Sequence, residues 1–269
     1  MALSTYFGYT GLAFFTFALL GPRFKATRFI ARYATAIVTM IVCASYGVLA
    51  SLVFKVIGLK SLSQWTVARS FDLLLSPMLG ISFTVENEER MSTRPAIFIS
   101  NHQTELDVLM LGRMFPKHTS VTSKKELKYM PFLGQFMTLS GTVFIDRANR
   151  KNAVASFDTA VRQIKEEKQN VWIFPEGTRS AFTEADLLPF KKGCFHLAIQ
   201  AGVPIVPIVV GNYSHVFSWK RKHLESGVIP VKVLEPIETK DLTAADVDRL
   251  VVEVRDNMLK TIKEMSRRK

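Results

Sequence analysis

Apolar residues form two long uncharged runs at the start of the chain, and shorter runs separated by polar turns follow. Residues 1–22 and 33–54 contain no charged side chain. Each run is about 20 residues long, which is the length of a membrane-spanning helix. Residues 61–80 then show a partly amphipathic pattern that ends at Gly80. The pattern therefore predicts a membrane anchor of two hydrophobic helices over residues 1–60 and an amphipathic connecting helix over residues 61–80.

From residue 81 onward, short apolar runs alternate with helical patterns. The runs typical of buried strands are residues 81–86, 96–99, 120–122, 142–145, 171–174, 203–210 and 228–234. Pro204 and Pro207 would confine their strand to a sheet edge, or to positions that need no N–H donor. The longest predicted helices cover residues 150–168 and 243–267. This alternation predicts an α/β domain over residues 81–269, with a mixed, largely parallel sheet, helices on both faces and a site at the strand ends.

Basic residues are concentrated near the amino-terminal end. The formal net charge is +12, and residues 1–60 carry half of it without a single acidic side chain. Four of these charges form a basic loop over residues 21–32 between the two apolar segments: Arg23, Lys25, Arg28 and Arg32. On charge alone, such basicity would suit nucleic acid or anionic lipid equally well. The two apolar segments favour lipid, so we expect a bilayer as partner and no nucleic acid.

The polar turn after the predicted strand 96–99 holds the first candidate for chemistry. His102 and Asp107 are five residues apart, about 140° around a helix, so they can meet only if His102 lies outside the helix. With Thr104 as the N-cap, Asp107 would lie in the first turn and could hold one imidazole nitrogen. Neutral His102 would then be a general base near pH 7. Alternatively, Thr104 and Asp107 only cap the helix and His102 is a surface residue.

Two further turns at predicted strand ends carry charged groups. Arg147 follows the strand 142–145, and Glu176, Gly177 and Arg179 follow the strand 171–174. Glycine allows a close approach of the backbone to a ligand, and arginine can bind a phosphate through two parallel hydrogen bonds. A base beside two arginines suits a substrate that has both a hydroxyl and a phosphate. The alternative is a surface ion pair between Glu176 and one of the arginines.

Lysine and cysteine residues add two smaller observations. Lys124 and Lys125 begin a predicted helix, where they could bind a phosphate or simply form a solvated helix start. Cys43 lies inside the second apolar segment and Cys194 far beyond it. This spacing suggests neither a disulfide framework nor a metal site.

Four ordered blocks of sequence resemble those of the glycerolipid acyltransferases. They are Asn101-His102-x4-Asp107, Gly141-Thr142-Val143-Phe144-Ile145-Asp146-Arg147, Phe174-Pro175-Glu176-Gly177-Thr178-Arg179 and Val203-Pro204-Ile205-Val206-Pro207. The similarity is greatest to fungal 1-acylglycerol-3-phosphate acyltransferases, also called lysophosphatidate acyltransferases, and spans about residues 80–235. The order, the spacing and the hexapeptide together make the resemblance specific.

The resemblance implies transfer of a fatty acyl group from acyl-CoA to the sn-2 hydroxyl of lysophosphatidate, which gives phosphatidate and CoA. It implies that His102 is the base and Asp107 its partner. Acceptor binding would fall to Arg147, Glu176, Gly177, Thr178 and Arg179, with Lys124 and Lys125 as further candidates. No cofactor is expected, because acyl-CoA is a substrate. No serine or cysteine is an evident partner of His102, so direct attack by the hydroxyl is expected rather than an acyl-enzyme.

Three alternatives to this function stay open at the level of sequence. The acceptor could be glycerol-3-phosphate or another lysophospholipid. The protein could be a membrane lipid hydrolase in which His102 activates water. It could also be a lipid-binding protein without enzymatic activity.

Membrane topology is predicted from two conflicting arguments. If both apolar segments span the bilayer, the basic loop is cytoplasmic and the α/β domain lies in the lumen of the endoplasmic reticulum. The acyl-CoA that the resemblance implies is cytosolic, and a hairpin within one leaflet would keep the loop and the domain on that side. Uncharged runs of 18 or more residues are long for such a hairpin. The sequence therefore slightly favours two spanning helices and a lumenal domain.

Overall fold

The computed structural model describes residues 25–145 and 150–267. The first predicted apolar segment, residues 1–22, and the candidate residue Arg147 lie outside these ranges. The second apolar segment forms one long helix, α1 (Lys25–Val56), which is long and apolar enough to cross a membrane by length and composition. Within the described ranges this is the one helix of that kind, where two had been predicted for the whole chain.

Helix α1 begins earlier than the sequence predicted. Arg28 and Arg32 lie in its first two turns, not in a loop over residues 21–32. The prediction took these charges as the end of the apolar segment, but no glycine or proline interrupts the chain between Pro22 and Gly47. Helix formation therefore continues through the basic residues, since arginine and lysine have good helix propensity.

The centre of the domain is a seven-stranded sheet in the order β1-β9-β6-β2-β5-β3-β4. Neighbouring strands are parallel except for β6 and β9, which are antiparallel. The strands are β1 (Ile81–Glu86), β2 (Ile97–Ser100), β3 (Thr119–Lys124), β4 (Val143–Ile145), β5 (Asn170–Ile173), β6 (Ile205–Val210) and β9 (Gly227–Val233), with a small separate hairpin of β7 (Phe217–Ser218) and β8 (His223–Leu224). The predicted mixed, largely parallel sheet is confirmed.

Helices cover both faces of the sheet, as predicted. They are α2 (Ser63–Leu79), α3 (Asp107–Met114), α4 (Leu133–Leu139), α5 (Arg150–Glu167), α6 (Gly193–Ala201) and α7 (Val247–Arg267). Alternation along β2 divides the core, because successive side chains point to opposite faces. Phe98 packs in a cluster with residues of α1 to α4. Ile97 and Ile99 pack with residues of α5 to α7.

Strand β6 corrects one expectation. It lies between β9 and β2 in the interior of the sheet, so its prolines do not confine it to an edge. Pro207 still takes part in the sheet through its carbonyl, which accepts the N–H of Leu234 at 2.8 Å. The alternative expectation, that proline occupies a position needing no donor, is the one that fits.

Candidate active site

The turn after β2 is tied to the end of β6. Asn101 donates from Nδ2 to the carbonyl of Val210 at 2.9 Å, and its Oδ1 accepts the N–H of Val210 at 2.8 Å. Gln103 adds bonds from Nε2 to the carbonyls of Val210 and Gly211 at 3.2 and 3.1 Å. These amide side chains replace ladder hydrogen bonds where the strands diverge. The turn that carries His102 is therefore held rigidly although it lies outside the sheet.

His102 and Asp107 are in direct contact. The Nδ1 atom of His102 lies 2.7 Å from Oδ2 of Asp107. Asp107 is buried at the first position of α3, and the same Oδ2 accepts the N–H of Gln103 at 2.7 Å and that of Thr104 at 3.2 Å. One carboxylate thus caps the turn and holds the imidazole. The two interpretations of this motif, structural and catalytic, are compatible.

The predicted role of Thr104 needs a correction. Helix α3 begins at Asp107 with Leu106 at its N-cap, so Thr104 is not the N-cap. The Thr104 hydroxyl instead accepts the N–H of Leu106 at 3.1 Å and caps the turn that precedes the helix. A carboxylate at Asp107 already satisfies the N–H groups of this turn, which moves the helix start toward it.

The hydrogen bond to Asp107 defines the chemical form of the His102 ring. An ionised carboxylate only accepts hydrogen bonds, so Nδ1 of His102 donates, and Nε2 carries the lone pair in the neutral ring. The ring stacks on Phe174 with centroids 4.1 Å apart, and 22% of the side chain is exposed. Within the described residues, Nε2 has no hydrogen-bond partner, and the ring lines a cavity.

Tyr213 also contacts Asp107, and the sequence interpretation missed it. This tyrosine is buried, and its hydroxyl lies 2.6 Å from Oδ1 of Asp107. Burial, together with the charge of Asp107, raises the pKa of the phenol well above its ordinary value. The only signal in the sequence is that Tyr213 closely follows a predicted strand whose end meets the site.

Glu176 is buried against the turn of His102. Its Oε1 accepts the backbone N–H of His102 at 2.7 Å, and its Oε2 accepts the N–H of Leu188 at 3.0 Å. Burial raises the pKa of this carboxyl, and the two N–H donors oppose that rise. The surface ion pair with Arg179 that was considered from the sequence is absent from the described contacts, because the two side chains have different partners.

The chain after Glu176 forms a tight turn at the mouth of the cavity. Gly177 has φ +69°, a conformation that favours glycine, and a Cβ there would lie 2.8 Å from Cε of Lys191, near the flexible end of that side chain. Arg179 donates from Nη1 to Oε1 of Glu105. The other oxygen of Glu105 accepts the indole N–H of Trp219 at 3.1 Å.

A cavity of about 640 Å³ connects these groups. Its polar end contains His102, Lys124, Gly177, Thr178 and Arg179, so five of the predicted site residues lie around one space. Asp107 and Glu176 lie behind His102, while Lys125 is exposed and does not line the cavity. The rest of the wall is largely apolar and includes side chains from four helices: Met40, Cys43, Ala44, Val67, Phe71, Leu111, Phe136 and Met137.

Comparison with known proteins agrees with this geometry. A sequence model of the family described as Acyltransferase matches residues 82–211. The 1-acyl-sn-glycerol-3-phosphate acyltransferase of Saccharomyces cerevisiae is 46% identical over 223 residues, which are 83% of this chain and 74% of that protein. The chain belongs to the acyltransferase family. The resemblance predicted from the four blocks is thereby confirmed.

Two further members extend the comparison. The 1-acyl-sn-glycerol-3-phosphate acyltransferase beta of Homo sapiens is 38% identical over 226 residues, covering 81% of this chain and 79% of that protein. The crystal structure of PlsC, the 1-acyl-sn-glycerophosphate (LPA) acyltransferase from Thermotoga maritima, superimposes with a TM-score of 0.68. It covers 87% of this acyltransferase and 94% of that chain at 23% identity, so it shows a shared fold.

Proposed function

We propose that this protein transfers a fatty acyl group from acyl-CoA to the sn-2 hydroxyl of 1-acylglycerol-3-phosphate, which gives phosphatidate and CoA. The observation that carries the proposal is the position of the His102–Asp107 pair at the polar end of an apolar cavity. A fatty acyl thioester and a phosphorylated alcohol need these two environments side by side. The names of the yeast and human relatives support this acceptor.

In the proposed reaction, Nε2 of His102 removes the proton of the acceptor hydroxyl. The alkoxide oxygen bonds to the thioester carbonyl carbon, and the carbon–sulfur bond then breaks. The CoA thiolate leaves and takes up the proton that His102 carried. Asp107 holds the ring and stabilises its cationic form during the transfer. A well-placed base contributes about 10²–10⁴ to the rate.

Arg179 is the best-placed cation for the acceptor phosphate. About half of its side chain is exposed at the cavity mouth, and its present partner is a carboxylate. We infer that the phosphate replaces Glu105 as this partner, because the planar guanidinium suits either anion. Lys124, Gly177 and Thr178 line the same end, and Lys191 crosses Gly177. Arg147 and Lys125 stay as candidates from the resemblance alone.

Glu176 has a different part in the proposal from the one first expected. Both of its oxygens already accept backbone N–H groups, and the side chain is 3% exposed. A direct contact with the acceptor would require these bonds to break, which costs about 1–3 kcal/mol for each buried N–H group left without a partner. We propose that Glu176 joins the turn of His102 to the turn of Arg179 and acts on the acceptor only through them.

The apolar part of the cavity is the proposed site of the acyl chain. Its volume falls in the range of about 300–1,000 Å³ that is usual for ligand pockets. Residues from α1 to α4 surround it, so α1 forms part of the active site as well as carrying an apolar surface. The proposed chain position leads from the thioester at His102 toward Ala44 and Met137.

A hydrolase is the second enzymatic candidate, but among the described residues no serine or cysteine side chain hydrogen-bonds to the ring of His102. Cys194 packs in the core on the face of α5 to α7, where burial raises the pKa of its thiol to about 12. A hydrolase would therefore have to use water at His102, in a cavity whose walls are mostly apolar.

One assay separates these functions. The purified full chain is given labelled oleoyl-CoA with lysophosphatidate, glycerol-3-phosphate, lysophosphatidylcholine or no acceptor. We expect labelled phosphatidate with lysophosphatidate and little labelled free oleate in any reaction. Free oleate without an acceptor would establish a hydrolase. Absence of turnover, with binding of oleoyl-CoA retained, would establish a lipid-binding protein.

The proposed membrane arrangement follows from the contacts of α1. One face packs on other described elements from the first turn of α1 to Tyr46, since Arg28 pairs with Glu225 at 2.7 Å and the Tyr46 hydroxyl lies 2.9 Å from that of Thr66. The opposite face exposes a set of large apolar side chains: Val38, Ile41, Val42, Leu49, Leu52 and Val53. A helix of 32 residues is about 48 Å long. A domain that lies alongside most of that length fits a helix that is half-buried in one leaflet. It fits less well a helix that crosses the bilayer and separates its own start from the domain.

We therefore propose that the start of α1 and the catalytic domain share the cytosolic face of the membrane. This reverses the slight preference from charge counting. The preference from charge counting treated Arg28 and Arg32 as unpaired charges in a loop. In the structure, Arg28 pairs with Glu225, and Arg32 donates to the carbonyl of Leu79. The endoplasmic reticulum is the proposed compartment, because it combines cytosolic acyl-CoA with phospholipid synthesis.

A further inference from the structure

The hydroxyl of Tyr213 has all of its hydrogen-bonding capacity in use. It lies 2.6 Å from Oδ1 of Asp107, 3.0 Å from the N–H of Thr104 and 2.9 Å from Oγ1 of Thr104. A phenol has one proton to donate, and Asp107 can only accept it. The backbone N–H and the hydroxyl of Thr104 therefore both donate to the Tyr213 oxygen. The direction of every proton in this set is fixed by its neighbours.

This chain of bonds reaches His102 through Asp107. Oδ2 of Asp107 accepts Nδ1–H of His102, and Oδ1 accepts the proton of Tyr213. Each oxygen thus has a side-chain donor, and a partial rotation of the carboxylate would weaken both hydrogen bonds. Tyr213 comes just after β6, 106 residues from Asp107 in sequence, and is 1% exposed.

We propose that Tyr213 is a positioning residue for the base, which fixes the orientation and charge distribution of Asp107 and through it the tautomer and alignment of His102. The proposal rests on the proposed function, because it gives His102 the role of general base. Tyr213 itself does not touch the substrate space, since it is buried behind Asp107 and does not line the cavity.

The protonation of Tyr213 supports this role across the working range of pH. Burial is the main reason why the pKa of the phenol is well above 10, and the neighbouring carboxylate raises it further. The hydroxyl therefore stays a donor wherever the enzyme can be assayed. Without the hydrogen bond from Tyr213, the negative charge of Asp107 would be less dispersed. Asp107 would then stabilise the protonated form of His102 more strongly.

The other charged groups around His102 stay unchanged when the Tyr213 hydroxyl is removed. Glu176 lies behind the backbone of His102, while Lys124 and Arg179 line the cavity that the ring faces. A change in the pH profile can therefore be assigned to Asp107. We expect removal of the Tyr213 hydroxyl to move the acidic limb of the profile of kcat/KM upward.

The test is Tyr213→Phe, measured in the full chain in lipid vesicles with oleoyl-CoA and lysophosphatidate. We expect kcat to fall about tenfold near neutral pH, as for loss of one hydrogen bond to a charged group, with KM for both substrates unchanged. We also expect the acidic limb to move upward, so that the defect shrinks at high pH. Tyr46→Phe is the matched control, because it removes a tyrosine bond to a threonine hydroxyl that does not involve Asp107.

A purely structural role predicts a different outcome. The activity of Tyr213→Phe would then fall by the same factor at every pH, or not at all, and either result would overturn the proposal. If Tyr213→Phe does not fold, Thr104→Val serves instead, since it keeps Tyr213 and removes one donor to its oxygen. It should move the acidic limb in the same direction by a smaller amount, and an unmoved limb would overturn the proposal.

A double-variant comparison separates this proposal from the proposed function. If Tyr213 acts only through Asp107, adding Tyr213→Phe to Asp107→Asn should cost less than twofold, whereas two independent effects would multiply. A full tenfold further loss would contradict the proposal. Failure of the wild-type protein to form phosphatidate would contradict the proposed function, whatever Tyr213 does.

Discussion

The carboxylate of Glu176 accepts the backbone N–H of His102 at 2.7 Å, although 74 residues separate the two in sequence. The bond joins the turn after β2 to the turn after β5, which are neighbouring parallel strands. His102, the proposed base, and the proposed phosphate-binding turn are therefore held in register by one buried side chain. A change in the conformation of either turn should therefore alter the position of the other.

This bond leads to a prediction for Glu176. Glu176→Gln should lower kcat by about tenfold or more while KM for lysophosphatidate changes little, since an amide NH₂ cannot accept one of the two N–H groups. The variant should also lower the free energy of unfolding by about 1–3 kcal/mol. Steady-state kinetics and thermal unfolding measure both effects. A large rise in the acceptor KM at constant kcat would restore Glu176 as a direct contact of the acceptor.

A second prediction concerns Arg179. Arg179→Ala should raise KM for lysophosphatidate about tenfold or more and leave KM for oleoyl-CoA unchanged, because a charge-assisted phosphate contact is lost. Arg179→Lys should rescue only partly, since an ammonium lacks the planar fork. The control is Arg249→Ala, which removes an exposed arginine of α7 whose ion-pair partners among the described residues are Asp246 and Glu253. An unchanged acceptor KM in Arg179→Ala would return this residue to a surface pair with Glu105.

A third prediction tests the proposed acyl site. Ala44 is 3% exposed and lines the cavity, so Ala44→Phe should fill part of it. We expect a loss of about tenfold or more in kcat/KM for oleoyl-CoA and a much smaller loss for octanoyl-CoA, since the shorter chain needs less of the cavity. Leu49→Phe on the exposed face of α1 is the control. Equal losses for both acyl-CoA substrates would place the chain elsewhere.

A fourth prediction concerns the membrane. Lys25, at the start of α1, and Lys220, in the loop between β7 and β8, are both exposed, while Cys43 and Cys194 are buried. In sealed, cytosol-side-out microsomes, a membrane-impermeant thiol reagent should label Lys25→Cys and Lys220→Cys equally, without detergent. Labelling of Lys25→Cys alone would support the lumenal domain that charge counting favoured. Protection of both positions would place the whole protein surface in the lumen.

Local patterns in the sequence predicted most of the elements of the fold. The apolar runs before His102 and Glu176 are strands, because a short buried run between polar turns usually forms a strand in an α/β domain. The order of parallel strands then brings their carboxyl ends to one edge, which is why His102 and Arg179 could be expected together. Their predicted grouping required only the element order.

What the sequence did not predict depends on contacts between distant segments. Tyr213 and Asp107 are in contact only because β6 lies beside β2. Arg179 contacts Glu105 because the turns after β5 and β2 lie side by side. The direction in which Glu176 points could not be predicted either, since its partners are backbone groups with no sequence signature. The start of α1 was misjudged for a local reason, because charge was taken as a boundary where helix propensity continues.

His102 is the proposed base of an acyl transfer to lysophosphatidate. The most direct measurement compares the wild-type protein with His102→Ala in the same vesicles, with labelled oleoyl-CoA and lysophosphatidate, and quantifies labelled phosphatidate. Circular dichroism and vesicle flotation check that the variant is folded and membrane-bound. We expect labelled phosphatidate from the wild type and a rate at least about 10²-fold lower from His102→Ala. A variant that is folded and retains more than about a tenth of the wild-type rate would contradict the account, because a general base contributes more than that.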